Sequence, residues 1–479
     1  MTTHTRREFL ERLAAGLAAP SLLMACHSPG GRTQHPAPGG QHPGWDLVPD
    51  ILARIRPPVF PDREFNIQQY GAVGNGTTDC SAAFRAAIGA CAAAGGGRVV
   101  VPSGRWLSGA IHLRSNVNLH VARGATIAFD RNPDRFLPFV LTRFEGMELM
   151  NYSPLIYALD QQNVAVTGEG TLDGQASLQY WWPWKGPADM ETGWRTGQPD
   201  QRPARQRLFQ QAEDAVPVAQ RTGGAGSYLR PSFIQPYRCR NILIEGVTIL
   251  NSPMWEIHPV LCENVTVRGV TIVSHGPNND GCDPESCTDV LIEKCTFDTG
   301  DDCIAIKSGR NADGRRVNVP SRNIIIRHCE MKDGHGGVTV GSEISGGCWN
   351  VFAHDCHMDS PRLDRALRLK NNAMRGGLLE HIYMRDVQIG QVADSVLSID
   401  FYYEEGPKGP FTPIVRDVEI RNVTSKKSKF ALYLRGFENA PIRDVRVVDC
   451  RFENVERPSV LEHVIGLEQR NVTSTGATR

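Results

Sequence analysis

Residues 241–249 read NILIEGVTI and residues 264–272 read NVTVRGVTI. The phrase returns as DVLIEKCTF from Asp289, NIIIRHCEM from Asn323, NVFAHDCHM from Asn350, HIYMRDVQI from His381, DVEIRNVTS from Asp417 and DVRVVDCRF from Asp444. An earlier copy, NVAVTGEGT, starts at Asn163. From 241 onward the starts are 23, 25, 34, 27, 31, 36 and 27 residues apart. A short constant phrase separated by variable loops marks a solenoid, in which no coil can bury its apolar face alone. The second position is always Ile or Val, as in Ile242, Val265, Val290, Ile324, Val351, Ile382, Val418 and Val445. The fourth is again apolar, from Ile244 to Val447. Alternation at period two means short strands with one face inward. The step after it (Gly-Val, Lys-Cys or Asp-Val) breaks the alternation and reads as a bend. The expected fold is all-β: a single-domain right-handed parallel β-helix whose coils pair about 4.8 Å apart.

Working outward, residues 61–465 form this domain and 466–479 a C-terminal tail. Residues 65–109 carry a strand, a Gly/Asn turn, an Ala-rich helix over about 81–94 and a second strand. A helix there would cap the open end of the solenoid, where an exposed edge invites aggregation. Residues 175–230 interrupt the rhythm with Tyr180, Trp181, Trp182, Trp184 and Trp194 in a polar background. They read as an insertion whose aromatics either stack on sugar rings or pack the insertion onto the body. Cys295, Cys329, Cys356 and Cys450 share the seventh repeat position with Val247, Val270, Val387 and Val423, which makes them small core residues.

The chain begins with Arg6-Arg7 before a weakly apolar stretch that ends Leu23-Met24-Ala25-Cys26. This resembles a twin-arginine export signal joined to a lipobox, so residues 1–25 are expected to be a signal peptide and Cys26 the lipidated first residue. The Pro/Gly-rich residues 26–60 then read as a flexible tether. The expected location is the periplasm or cell surface, with the membrane touched only through the lipid. The 479 residues hold 52 Lys+Arg and 52 Asp+Glu, a formal charge of +0 that argues against nucleic acid as a partner. The longest apolar run is too short and broken to span a bilayer. A monomer without cofactor or metal is expected.

Four polar motifs stand in four neighbouring coils: Asn278-Asn279-Asp280-Gly281, Gly300-Asp301-Asp302, Gly334-His335-Gly336 and Arg368-Leu369-Lys370. With Leu367 and Leu369 inward, Arg368 and Lys370 point out together, and Val338 and Val340 likewise leave His335 outside. Ile304 and Ile306 inward would bury Asp302, which is costly for an unpaired carboxylate. A bulge or turn at Gly300-Asp301 is therefore expected to expose both acids.

These motifs, in this order, resemble glycoside hydrolase family 28, the polygalacturonases, over most of residues 65–455. The family's Asn-Thr-Asp and Arg-Ile-Lys appear here with Asn279 and Leu369 at the middle positions. The resemblance implies hydrolysis of α-1,4-galacturonosyl bonds of pectin and its oligogalacturonides. It implies Asp301 as general acid, Asp280 and Asp302 as holders of the attacking water, and His335 as the tuner of the acid. Arg368 and Lys370 would grip the substrate carboxylate, with Asn278 and Tyr402 (or its neighbour Tyr403) lining the sugar site. Inverting hydrolysis needs carboxyl groups about 6.5–9.5 Å apart, a spacing that coils one or two rungs apart supply. The aromatic insertion, if it walls one end of the cleft, favours exo action. Two alternatives stay open: a calcium-dependent pectate lyase with Asp280, Asp283, Asp301 and Asp302 as ligands, and a rhamnogalacturonan-directed hydrolase.

Overall fold

The computed structural model describes residues 43–476 apart from residue 189; the expected signal peptide and Cys26 lie outside the described residues. The repeat columns become the register of one continuous parallel sheet. Val164 pairs with Ile242, and the row continues through Val265, Val290, Ile324, Val351, Ile382, Val418, Val445 and Leu467. The protein is the expected right-handed parallel β-helix.

The polar first position of the phrase has its own cause. Asn163, Asn241, Asn264, Asp289, Asn323, Asn350, His381, Asp417 and Asp444 all have positive φ, between 53° and 59°. Asn and Asp tolerate this left-handed conformation better than other residues with a Cβ. Their side chains also stack: the Asn241 amide donates to Asn163 (2.9 Å), Asn264 to Asn241 (2.8 Å), Asn323 to Asp289 (2.9 Å) and Asn350 to Asn323 (2.9 Å). At these four corners one coil's amide rests on the side-chain oxygen of the coil before it.

A second wall carries the polar motifs. Its strands are β1 (Ile111–His112), β2 (Ile156–Leu159), β3 (Ile234–Tyr237), β4 (Ile304–Ile306), β5 (Val338–Val340), β6 (Arg365–Lys370), β7 (Ser395–Asp400), β8 (Phe430–Arg435) and β9 (Val460–Glu462). Single bridges at Ile257 and Cys282 join β3 to β4, which makes the wall continuous. The core between the walls is a column of Val, Ile and Leu, into which the predicted cysteines are packed. The twelve cysteines among the described residues are buried and free.

The N-terminal cap is helix α2 (Ser81–Ala93), which buries Phe84, Ala87, Ile88 and Cys91. The tether over 26–60 is corrected at its distal end. Helix α1 (Leu47–Arg54) buries Val48 and Ile51, and with Ile55 it covers Leu291, Ile325, Phe352 and Tyr383. Those four sit at the third, outward position of the repeat, where apolar side chains need a cover. The C-terminal tail is also corrected. Strands at Val464–Arg470 and Thr473–Gly476 pair with Ile442–Val448 and Arg451–Val455 and complete another coil. In the insertion, helix α3 (Arg202–Glu213) follows the tryptophans. Trp181 is buried against Phe136 and Trp184, and the Trp182 Nε1–H donates to the Ser252 carbonyl at 2.9 Å. These rings pack the insertion onto the body.

Candidate active site

The motifs meet because the wall is in register: Ile304 pairs with Val338 and Val338 with Leu367. Asp301 and Asp302 precede β4, His335 precedes β5, and Arg368 and Lys370 lie on β6. Asp280 precedes the Cys282 bridge, one coil earlier. One carboxylate oxygen from each of Asp280, Asp301 and Asp302 falls within 4.8 Å of the others. These nearest oxygens stand closer than the 6.5–9.5 Å anticipated for whole carboxyl groups from coil spacing.

The expected turn is present, but it exposes one acid rather than both. Asp301 reaches the cleft, with its side chain 19% exposed, and its Oδ1 lies 3.0 Å from Nδ1 of the half-exposed His335. Asp302 is fully buried and paired instead: Lys370 Nζ donates at 2.7 Å, Arg368 at 3.2 Å and the Thr339 hydroxyl at 2.9 Å. Its burial is compensated by two cations and a neutral donor.

The glycines of Gly334-His335-Gly336 permit this closeness. Gly334 has φ +148° and a Cβ there would stand 2.5 Å from the Asp301 carbonyl. A Cβ at Gly336 would stand 2.2 Å from the Thr339 hydroxyl and 2.9 Å from Asp302.

Each carboxyl feels a different field. Burial works to raise Asp301, but the His335 charge and hydrogen bond outweigh it and hold the acid well below its usual range. Reciprocally, the Asp301 charge pushes His335 up to about 9. Burial likewise opposes Asp302, which Lys370 and Arg368 keep low. Asp280 goes the other way. Burial, then the charge of Asp301, push it well above the usual range, and Lys307 only moderates the rise.

Lys307 escaped the sequence analysis. It is buried, with Nζ 3.5 Å from Asp280, 3.3 Å from Glu343 and 4.0 Å from Asp283, over the Trp255 ring. The inward Ile304 and Ile306 place it outward, in the same column as Lys370 two coils on, so the reasoning that exposed Lys370 applied equally to it.

Tyr402 packs against Phe437 and under Arg435. Its neighbour Tyr403 faces the site, with its ring 5.5 Å from the Arg368 guanidinium and 5.3 Å from Lys370 Nζ. Asn278 stands at the rim, but its carboxamide oxygen already accepts from Lys185 Nζ and from Arg230, both at 2.8 Å.

The acidic cluster has the donors of a cation site. Yet His335 holds Asp301, Lys370 and Arg368 hold Asp302, and Lys307 holds Asp280. That donor set is occupied by cationic side chains and fits calcium poorly.

A parallel β-helix whose wall gathers three acids of unequal proton affinity, each paired with its own cation, is the site of a carbohydrate-cleaving enzyme. Residues 221–463 match the model of glycosyl hydrolases family 28. A solved exopolygalacturonase from Thermotoga maritima is 48% identical, with a TM-score of 0.87 over 90% of this chain and 96% of that one. A probable polygalacturonase of Vitis vinifera is 28% identical over 79% of this chain and 72% of its own length. An exo-poly-alpha-D-galacturonosidase of Dickeya chrysanthemi is 27% identical over 76% and 62%. The chain belongs to glycosyl hydrolases family 28, and it is a glycoside hydrolase.

Proposed function

We propose that this enzyme is an exo-acting polygalacturonase that releases galacturonate from chain ends by a single displacement. The observation that carries this is Asp301 bonded to His335 at 3.0 Å, with Asp280 and Asp302 beside it and Arg368 and Lys370 on the same wall. The 48% identical relative is an exopolygalacturonase, which supports the same mode.

His335 supplies the proton across its hydrogen bond, and Asp301 gives it to the glycosidic oxygen as the bond breaks. Water held between Asp280 and Asp302 attacks the anomeric carbon and passes its proton to Asp280. A base with raised proton affinity suits that step near neutral pH. Arg368 and Lys370 hold the uronate carboxylate, and Tyr403 faces them across the cleft.

The close carboxylates favour one competing reading. Oxygens within 4.8 Å come nearer the ~5–5.5 Å of double-displacement enzymes. Asp302 is a poor nucleophile for that route, since it is fully buried and tied by three donors.

The test is purified protein on polygalacturonate with EDTA present, following reducing ends, unsaturated product and the anomeric configuration by NMR. New reducing ends without unsaturated product, free galacturonate from the first time point and inverted anomers support the proposal. Asp301→Asn should abolish all three. Retained anomers would replace the single displacement with a double one, and unsaturated product that vanishes with EDTA would replace hydrolysis with elimination.

We also propose that the chain is exported and lipidated at Cys26, on the strength of the Arg6-Arg7 and Leu23–Cys26 sequences. Labelled palmitate incorporated by the wild type but not by Cys26→Ala would support this, and equal incorporation would refute it.

A further inference from the structure

Two cations beside Asn278 form no ion pair with a carboxylate. Lys185, in the insertion, donates to Asn278 at 2.8 Å. Arg230, fully buried, donates to the same oxygen at 2.8 Å and to the carbonyls of Pro253 (2.8 Å) and Pro277 (2.6 Å). Its Nε–H goes to the neutral Gln201 at 3.2 Å. The nearby Glu145 is committed to Arg205 at 2.6 Å and Arg310 at 3.7 Å. Among the described residues, neither Lys185 nor Arg230 forms an ion pair with an acid. Burial disfavours the charge on both, and Arg230 falls to about 10.

Two neighbouring cations taken from water with no acid in direct contact are expensive unless an anion arrives to pair with them. The ammonium of Lys185 has three donors, of which the structure commits one. Both cations lie within the field of Asp301.

Their position is specific. Asn278 precedes the Cys282 bridge, Asp301 and Asp302 precede β4 on the next coil, and Arg368 and Lys370 lie two coils beyond that. The two cationic groups therefore flank the carboxylates along the coil stack, about 14 Å apart at about 4.8 Å per coil. A uronide cleaved at Asp301 carries one carboxylate on each side of the broken bond.

We propose that Lys185, set by Asn278 and Arg230, receives the carboxylate of the terminal galacturonate, on the other side of the scissile bond from the unit held by Arg368 and Lys370. The insertion then acts as a reader of acidic chain ends. Asn278 acts through Lys185 and is a positioning residue. This rests on the polygalacturonase reading above.

The test pairs enzyme and substrate changes. Digalacturonate is compared with its analogue methyl-esterified on the non-reducing unit, for the wild type, Lys185→Met and Lys185→Arg. On digalacturonate, Lys185→Met should lower kcat/KM about 10–100-fold, the range of one charge-assisted contact, mostly through KM. On the ester, which has already lost the charge, the same variant should cost no more than about threefold. Lys185→Arg should recover most of the loss. Free galacturonate should inhibit the wild type more strongly than Lys185→Met. Equal losses on both substrates, with folding intact by circular dichroism, would overturn the proposal and leave Lys185 a structural residue. A wild type inactive on digalacturonate and polygalacturonate alike would instead overturn the polygalacturonase reading, and this proposal with it.

Discussion

Replacing Lys307 by Met should move the acidic limb of the pH–rate profile upward while leaving the basic limb in place. Lys307 Nζ lies 3.5 Å from Asp280 Oδ2, and both are buried. Unit charges at that distance interact by about 5 kcal/mol at an effective dielectric of about 20. Lost in full, that is roughly 3–4 pH units. Lys307 also serves Asp283 at 4.0 Å and Glu343 at 3.3 Å, so the two acids will take up protons and soften the change. The expected shift is about 1–2 units. The sign follows from the role: Asp280 accepts the water's proton only when ionised, and its affinity is already raised by burial. Removing the cation raises it further, so kcat is lost at a higher pH on acidification.

The assay is kcat against pH on saturating polygalacturonate, at a temperature well below the variant's thermal midpoint. That midpoint will fall, because removing one partner of a buried ion pair costs about 3–5 kcal/mol. The basic limb, set by His335, is the internal control. A folded variant whose acidic limb stays within about 0.3 units of the wild type would refute the assignment of that limb to Asp280.

The wild type should lose kcat as pH rises through about 9, where the His335 imidazolium deprotonates, and His335→Asn should remove that loss. The variant should also lower kcat at neutral pH by roughly 10²–10⁴-fold, measured by initial rates. Gly336→Ala should break the Thr339–Asp302 hydrogen bond, because its Cβ would lie 2.2 Å from the Thr339 oxygen. Steady-state kinetics should show kcat falling tenfold or more, with circular dichroism preserved. Ile51→Ala, in the helix over the outer wall, should cost about 2–5 kcal/mol by denaturant titration and leave kcat unchanged.

The fold was legible because a parallel solenoid writes its register into its sequence. Columns aligned by eye, such as Ile242 above Val265, are the pairs the sheet makes. The site was legible to the same depth: strand parity placed Arg368 and Lys370 correctly. Parity also put Asp302 inward, where it lies; the error was to count its carboxylate as unpaired and so to expect a turn that exposed it. Asp302 sits in a turn whose depth is set by cations from two coils on. The Tyr402–Tyr403 pair follows β7, where alternation has ended. The first helix was hidden because its cover sites, Leu291, Ile325, Phe352 and Tyr383, lie more than two hundred residues away. Each occupies the outward third position of its repeat, so four apolar residues there were the missed signal.

The fold also explains how three acids this close come to do different work. Asp301 takes its cation from the next coil, where His335 stands. Asp302 takes two from the coil after that, Arg368 and Lys370. Asp280 takes Lys307, again from its own next coil. The cations differ in strength: an imidazolium that can surrender its proton, a permanent guanidinium with an ammonium, and one ammonium divided among several acids. Asp301 is thereby coupled to a transferable proton, Asp302 is fixed as an anion, and Asp280 keeps its raised affinity. A loop-built site would need separate supports to hold such partners apart. Here the coil spacing fixes them, so changing one cation should retune one acid while the register of the others persists.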